Sequence, residues 1–387
     1  MSIALQWSGK PCRSVFSWSL LGLTALILGL AIGLSATPLL AQDKDKTEEK
    51  TEDKTEKKAD DDKPPPPPPE PEEKVLVTDE DPGVEIKATY YPGNKGRESI
   101  PVILLHGFNR KEGRKEVNHS RKDFTQEQGL APYLQSTLGC AVIVPDLRGY
   151  GESTSYKKTG DETEKRDDKK RPADAAKEKK KAEELKKKFQ GQVPEMVEFD
   201  LRAVKDFLWK KNNKKALNLC KLTVIGVEEG GSLALSYAAY DSIGYEQQQP
   251  QVGPLKLGRF VKTVVLISPL TKFRGSMAQK AMKLTDIHRD LSVMIVAGNK
   301  NEAYLKDAEQ LNNLFKKARP PEDELKVASR TLFFFPNVDT ELQGCKLLDE
   351  SSLNVPAKIA KFMKLRLVDN IVAKDKWGWR ELKLPHQ

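Results

Sequence analysis

Short, almost wholly apolar runs recur along this chain, each ending at glycine or proline: SIPVILLHG, CAVIVPDLRG, KLTVIGVEEGG, FVKTVVLISP and LSVMIVAGN, with ASRTLFFFPNVD after them. A strand that is apolar on both faces needs cover on both faces, and a parallel sheet between two helical layers supplies it. The segments between the runs carry helical patterns, which are the crossovers such a sheet requires. The expected fold is therefore α/β, in three layers, with a central, mostly parallel sheet. KVLVT and VEIKATYY, joined at DPG, predict a strand pair ahead of it. A short helix is expected over 129–139 and a longer one over 194–211. Pro194 suits the first turn of the longer helix, and Val197, Leu201, Val204 and Leu208 share one of its faces.

The chain has 387 residues and a net charge of +9. Many lysines lie in two low-complexity segments, 42–73 and 156–192, and no nucleic-acid-binding motif is present, so no nucleic-acid partner is expected. Residues 1–41 read as a signal peptide or an N-terminal membrane anchor. Lys10 and Arg13 precede an uncharged stretch whose core is LLGLTALILGLAIGL. Leu39, two places before Ala41, is not the small residue a signal peptidase prefers, which leaves cleavage and retention both open. The chain is expected to be exported, to a periplasm or cell envelope, and anchored through residues 14–36 if the segment is retained; the membrane is then a partner. Residues 42–73 read as a disordered linker, because almost no apolar side chain offsets the ordering entropy. Pro64 to Pro69 form a stiff polyproline rod within it, at roughly 3.1 Å per residue. The folded domain is expected over 74–370. Its charged insert, 156–192, reads as a solvated helix or flap, and 371–387 as a loose C-terminal tail. The four cysteines form no C-x-x-C pair, so neither a disulfide framework nor a metal site is expected, and no cofactor.

Within the run VIGVEEGGSLAL a strand stops at glycine and a helix-compatible segment begins after two carboxylates and two more glycines. Together with His106-Gly107, the stretch DLRGYGES and the stretch GNKNE, this strand-to-helix turn resembles the α/β-hydrolase superfamily, from about Val75 to Asp369. The resemblance implies a nucleophile elbow of the form G-x-S-x-G, whose glycines permit a sharp turn under an exposed nucleophile. Gly226 and Gly230 stand at its glycine positions, Gly231 extends the pair, and Glu228 stands where the family has serine. The acid position falls at Asn301 and Glu302, and the histidine position at Thr340, in a segment with no histidine. All three triad positions thus depart from the family pattern. The family's oxyanion donors would map to the backbone N–H groups of Phe108 or Asn109 and of Glu229. A carboxylate there repels a developing oxyanion, and the carboxylate of Glu228 itself is a candidate to fill the hole.

His119 is an alternative base. Its loop leaves the carboxyl edge of the sheet, although a polar surface loop is the default reading. His106 reads as structural, while His288 and His386 lie away from the site. The leading functional reading is a scaffold that has lost its Ser-His-Asp triad and serves as a binding or structural module for an unknown ligand or protein. The alternative is a hydrolase of esters or amides that uses Glu228, with His119. A hard-cation site built from Glu228, Asn301, Glu302, Asp339 and Glu341 is weaker than simple pairing of these groups with Arg148 or Lys300, or their exposure to water.

Overall fold

The computed structural model describes residues 67–108, 110–112, 115–157, 180, 183–247, 260–271, 284, 291–317, 319, 329–370 and 377–382. The apolar segment 14–36, most of the linker, residues 158–179 of the insert, Asn109, His288 and His386 lie outside them. Among the described residues no helix is long and apolar enough to cross a membrane.

Eight strands form one sheet in the order β1-β2-β6-β3-β7-β8-β9-β10. They are β1 Glu72–Val77, β2 Glu85–Tyr91, β3 Pro101–Leu105, β6 Ala141–Pro145, β7 Leu222–Val227, β8 Val261–Ile267, β9 Ser292–Gly298 and β10 Leu332–Val338. From β6 to β10 all neighbours are parallel, whereas β1 and β2 form an antiparallel pair along one edge. Every residue of β3, β6, β7 and β9 is buried, as their uninterrupted apolar sequences require.

Alternate residues of these strands enter two different cores. Ile103, Leu105 and Val224 join one cluster with α3 (Leu201–Asn213), α4 (Glu229–Gln247) and α5 (Glu302–Lys316). Val102, Leu104 and Ile225 join the other with α2 (Leu130–Leu138) and α6 (Val355–Met363). Full burial of each such side chain contributes about 1.5–3 kcal/mol. The expected face packs inward: Val197, in the π-helical turn Met196–Asp200 ahead of α3, and Leu201, Val204 and Leu208 within α3 are all buried. Helix α2 stops at Gly139, whose left-handed φ of 68° lets its N–H close the last turn.

The structure corrects the expected outline in four places. The first strand begins at Glu72, before the expected start at 74, because its pairing with β2 extends to Tyr90. The loop after β3 is not irregular throughout: it holds a small hairpin, β4 (Arg110–Glu112) with β5 (Lys115–Val117), and a helical turn, α1 (Lys122–Thr125). The insert is not wholly solvated, since residues 183–190 are helical and Phe189 is fully buried against Val84, Ile86 and Tyr156. The C-terminal tail is not loose over 377–382. Asn212, Asn213, Asn218 and Trp209 donate side-chain hydrogen bonds to the backbone carbonyls of Arg380, Leu382 and Trp377.

Candidate functional site

The strand-to-helix turn at 228 sits at the carboxyl edge of the parallel strands, where open α/β sheets place their sites. Glu228 holds φ at +53°, in the left-handed region. That conformation costs an L-residue roughly 1–2 kcal/mol and persists only where its surroundings fix it. Here the Glu228 N–H donates to the Ile267 carbonyl at 2.9 Å, and its own carbonyl accepts from Gly231 at 3.0 Å. A Cβ at Gly226 would collide with the backbone of Gly230, and one at Gly230 would lie 2.5 Å from the Leu105 carbonyl oxygen. Both glycines are therefore demanded by the turn. Gly231 is not: a Cβ there meets its nearest neighbours at an ordinary 3.5 Å.

Both carboxylates turn inward, toward the β3 loop. A Cβ on Gly107 would lie 3.1 Å from Glu228 Oε2 and 3.5 Å from Glu229 Oε2, so glycine at 107 makes room for the pair. The Phe108 N–H donates to Glu229 Oε2 at 3.0 Å. This is the N–H that the sequence marks as an oxyanion donor, and the group on it is Glu229 rather than the expected Glu228. Helix α4 begins at Glu229, and the positive end of its dipole favours negative charge at this point. Phe108 packs on Tyr150 with ring centroids 4.6 Å apart, and burial together with Glu229 pushes the Tyr150 hydroxyl well above its ordinary pKa.

His119 does not lie on a polar surface. It is 9% exposed and faces the turn, with Nε2 4.0 Å from Glu228 Oε2. Its Nδ1 is 2.9 Å from Asp123 Oδ2, four residues on. The loop is turned inward by Arg121. The Arg121 N–H donates to Asp146 Oδ1 at 2.7 Å, its guanidinium also binds Asp146, and Nη2 reaches Glu152 at 2.9 Å and Glu73 at 3.2 Å. Asp123 therefore joins His119 and Glu228 in one line of ionisable groups. The spacing H-x-x-x-D was the only sequence sign of it.

His106 is structural. Its Nδ1 lies 2.6 Å from the Gly107 carbonyl, and Nε2 receives the Leu147 N–H at 3.2 Å, which fits the neutral tautomer protonated at Nδ1. Burial holds its pKa below the usual histidine range.

The loop after β10 meets Glu228 through Gly344, not through Thr340. Gly344 has φ of +60°, and a Cβ there would collide with Glu228 Oε1. The Gly344 N–H donates to Ser268 Oγ at 2.9 Å, and that hydroxyl donates to Gln343 Oε1 at 2.8 Å. Gly344, Gln343 and Ser268 carried no sequence signal. The Thr340 carbonyl accepts from Lys300 N–H at 3.1 Å, and its hydroxyl accepts from Leu342 N–H at 3.1 Å. Asn301 is the N-cap of α5 without a side-chain capping bond, and Glu302 is exposed in its first turn. Among the described residues no hydrogen bond or ion pair joins Asn301, Glu302 or Thr340 to Glu228.

Lys300 pairs with Asp339 at 3.2 Å, as expected, whereas Arg148 pairs with Asp200 and Glu80 and not with these loops. Among the described residues no cluster of three or more histidine, cysteine, aspartate or glutamate side chains is placed to hold a metal ion. Cys140 and Cys220 are buried free thiols, and Cys345 is half-buried.

A family model described as the alpha/beta hydrolase fold matches residues 100–281. Solved structures similar to this chain include an esterase of Pyrococcus furiosus, 14% identical, covering 76% of this chain and 92% of its own at a TM-score of 0.45. A dienelactone hydrolase of Anabaena variabilis is 16% identical, covering 78% and 98% at a TM-score of 0.43. An esterase of Pyrobaculum calidifontis is 15% identical, covering 77% and 86% at a TM-score of 0.46. No curated protein sequence matches the chain.

Proposed function

The chain has the alpha/beta hydrolase fold, and from that premise we propose that it is an exported binding or structural module whose catalytic turn no longer carries acyl transfer. The observation that carries this reading is the Glu229 carboxylate on the Phe108 N–H, at 3.0 Å. Acyl transfer places a developing negative oxygen on such donors. Losing one donor costs about 10²–10³ in rate. A fixed carboxylate in its place adds repulsion of about 4 kcal/mol at 4 Å in a partly screened site. A carboxylate at 228 is also a poor nucleophile toward a carbonyl, because the product is a reactive anhydride. The export component rests on the apolar segment 14–36 behind Lys10 and Arg13.

A second reading has its own observation. The line from Asp123 through His119 to Glu228, with spacings of 2.9 and 4.0 Å, is the arrangement that orients a histidine and stabilises its charged form. In that reading the protein hydrolyses esters or amides, with His119 drawing a proton from water and Glu228 holding the resulting imidazolium. One experiment separates the two. The purified protein is assayed with short-chain nitrophenyl esters and a peptide substrate, beside Glu228→Ala and His119→Ala. The first reading expects no saturable turnover in any of the three. Turnover that both substitutions abolish would overturn it and establish the second.

A further inference from the structure

We propose that the amino edge of the sheet, opposite Glu228, is a docking face for an anionic lipid bilayer. The topology collects several connections there. The β2–β3 loop, the end of α3, the start of β7 and the start of β8 all lie at this edge. They carry the exposed side chains of Lys95, Arg97, Lys210, Lys214 and Lys215. These segments are contiguous: the Asn218 N–H donates to the Ser99 carbonyl at 3.0 Å, and a Cβ on Gly96 would lie 3.5 Å from the Lys215 carbonyl. The acidic groups on the face are Glu98, which bridges Lys221 at 3.7 Å, Glu72, which bridges Lys211 at 3.7 Å, and the exposed Glu70 and Glu381; against the five exposed cations the balance remains basic. Lys210 has a local explanation, since it lies in the last turn of α3, where the helix dipole favours a cation. Lys95, Arg97 and Lys215 belong to no α-helix and have no such reason to be there.

Two features favour a bilayer over another polyanion. The segment 377–382 crosses this edge and brings two half-buried indoles with it. The Arg97 guanidinium lies 5.5 Å from the Trp379 ring centre, and the Lys262 ammonium 5.5 Å from that of Trp377. Indole beside cation is the pairing that suits a headgroup layer, where the ring meets the apolar boundary and the charge meets phosphate. The chain also enters the domain at this edge: Gln135 Nε2 donates to the carbonyls of Pro69 and Pro92, both at 2.8 Å. Residues 14–36 precede that entry point in sequence. The opposite edge has no such basic excess: its exposed Glu152, Glu302, Asp339 and Glu341 stand beside exposed Lys122, Lys300 and Lys346, and Lys300 is paired with Asp339. The entry point bears on a bilayer only with the tethered reading of the proposed function; the charge and the indoles are independent of it.

The test is hydrogen exchange of the full-length chain, read by mass spectrometry, on vesicles of phosphatidylcholine alone or mixed with phosphatidylglycerol. The expected result is slowed exchange at 93–98, 210–216 and 377–382 on the anionic vesicles only. High salt should remove it, and exchange at 339–344 should not change. Lys214→Glu with Lys215→Glu should weaken the anionic-dependent protection about tenfold, with Lys95→Glu and Arg97→Glu as a second pair of exposed changes. Association with both kinds of vesicle but no protection of this edge would overturn the docking face while leaving the tether intact. Equal protection on both vesicles, or protection by short duplex DNA but not by vesicles, would overturn the assignment to anionic lipid.

Discussion

At residue 228 a glutamate holds a backbone conformation that the fold reserves for a displayed nucleophile, yet its side chain is 1% exposed. Gly344 accounts for much of that burial, because its missing Cβ is the space that Glu228 Oε1 fills. Gly344→Ala is expected to destabilise the domain by about 2 kcal/mol, from the positive φ and the collision together. In a Glu228→Ala background the collision disappears, so urea denaturation should give a coupling of about 1 kcal/mol between the two sites, and additive changes would deny the contact. The elbow was legible because its glycines are dictated locally, by backbone approaching backbone within a few residues. The occupant of the Phe108 N–H was not, because Glu228 and Glu229 are adjacent carboxylates and only the turn decides which one points at Phe108. His119 was misplaced for a related reason. What turns it inward is Arg121, whose partners Glu73, Asp146 and Glu152 come from distant segments.

Elements are held to one another by a buried ion pair as well as by the two cores. Arg148, in the loop after β6, donates from Nε and Nη2 to Asp200 Oδ1 at 2.8 and 2.6 Å, and its backbone N–H donates to Oδ2 at 3.0 Å. Asp200 leads into α3, so the pair pins that helix to the sheet edge. Burial pushes the Asp200 carboxyl up to about 6, with Arg148 pulling against the shift. The folded domain therefore binds this proton more tightly than the unfolded chain does. The group's contribution to stability falls as pH rises from 3.8 to about 6 and is constant above that. Asp200→Asn should flatten that limb of the stability profile and cost about 3 kcal/mol at neutral pH by leaving Arg148 poorly compensated. Urea midpoints measured across pH for both proteins check both statements, and an unchanged slope would contradict the first. Strands and helices of this kind were legible because a fully apolar run or a one-sided stripe belongs to the element itself. The β4–β5 hairpin was not, since its strands are three residues each and polar in sequence.

Over the whole domain, residues 377–382 act as a strap across the amino edge. Leu382 is 3% exposed; its carbonyl accepts from Asn213 Nδ2 at 2.7 Å and its N–H donates to Asn213 Oδ1 at 3.0 Å, while the Trp379 indole donates to the Asn212 carbonyl at 3.1 Å. Each such bond contributes about 1 kcal/mol net, and the leucine about 2. Truncation after 376 should therefore lower stability by several kcal/mol, and Asn213→Ala by about 1–2 kcal/mol; a truncated chain that melts at the wild-type temperature would show the strap to be idle. The strap was hidden in the sequence because its own residues are not periodic, and the asparagines that grip it lie more than a hundred positions earlier.

The central claim is that the Glu229 carboxylate occupies the Phe108 N–H donor, and amide hydrogen exchange at Phe108 tests it most directly. Replacing Glu229 with alanine removes a charge-assisted hydrogen bond of about 1.5–3 kcal/mol. Exchange at Phe108 is expected to accelerate at least tenfold, while Leu104 and Leu105 in β3 keep the wild-type rate. An unchanged Phe108 rate in Glu229→Ala would contradict the account: the donor would then not depend on Glu229, and the case against acyl transfer at this turn would fall with it.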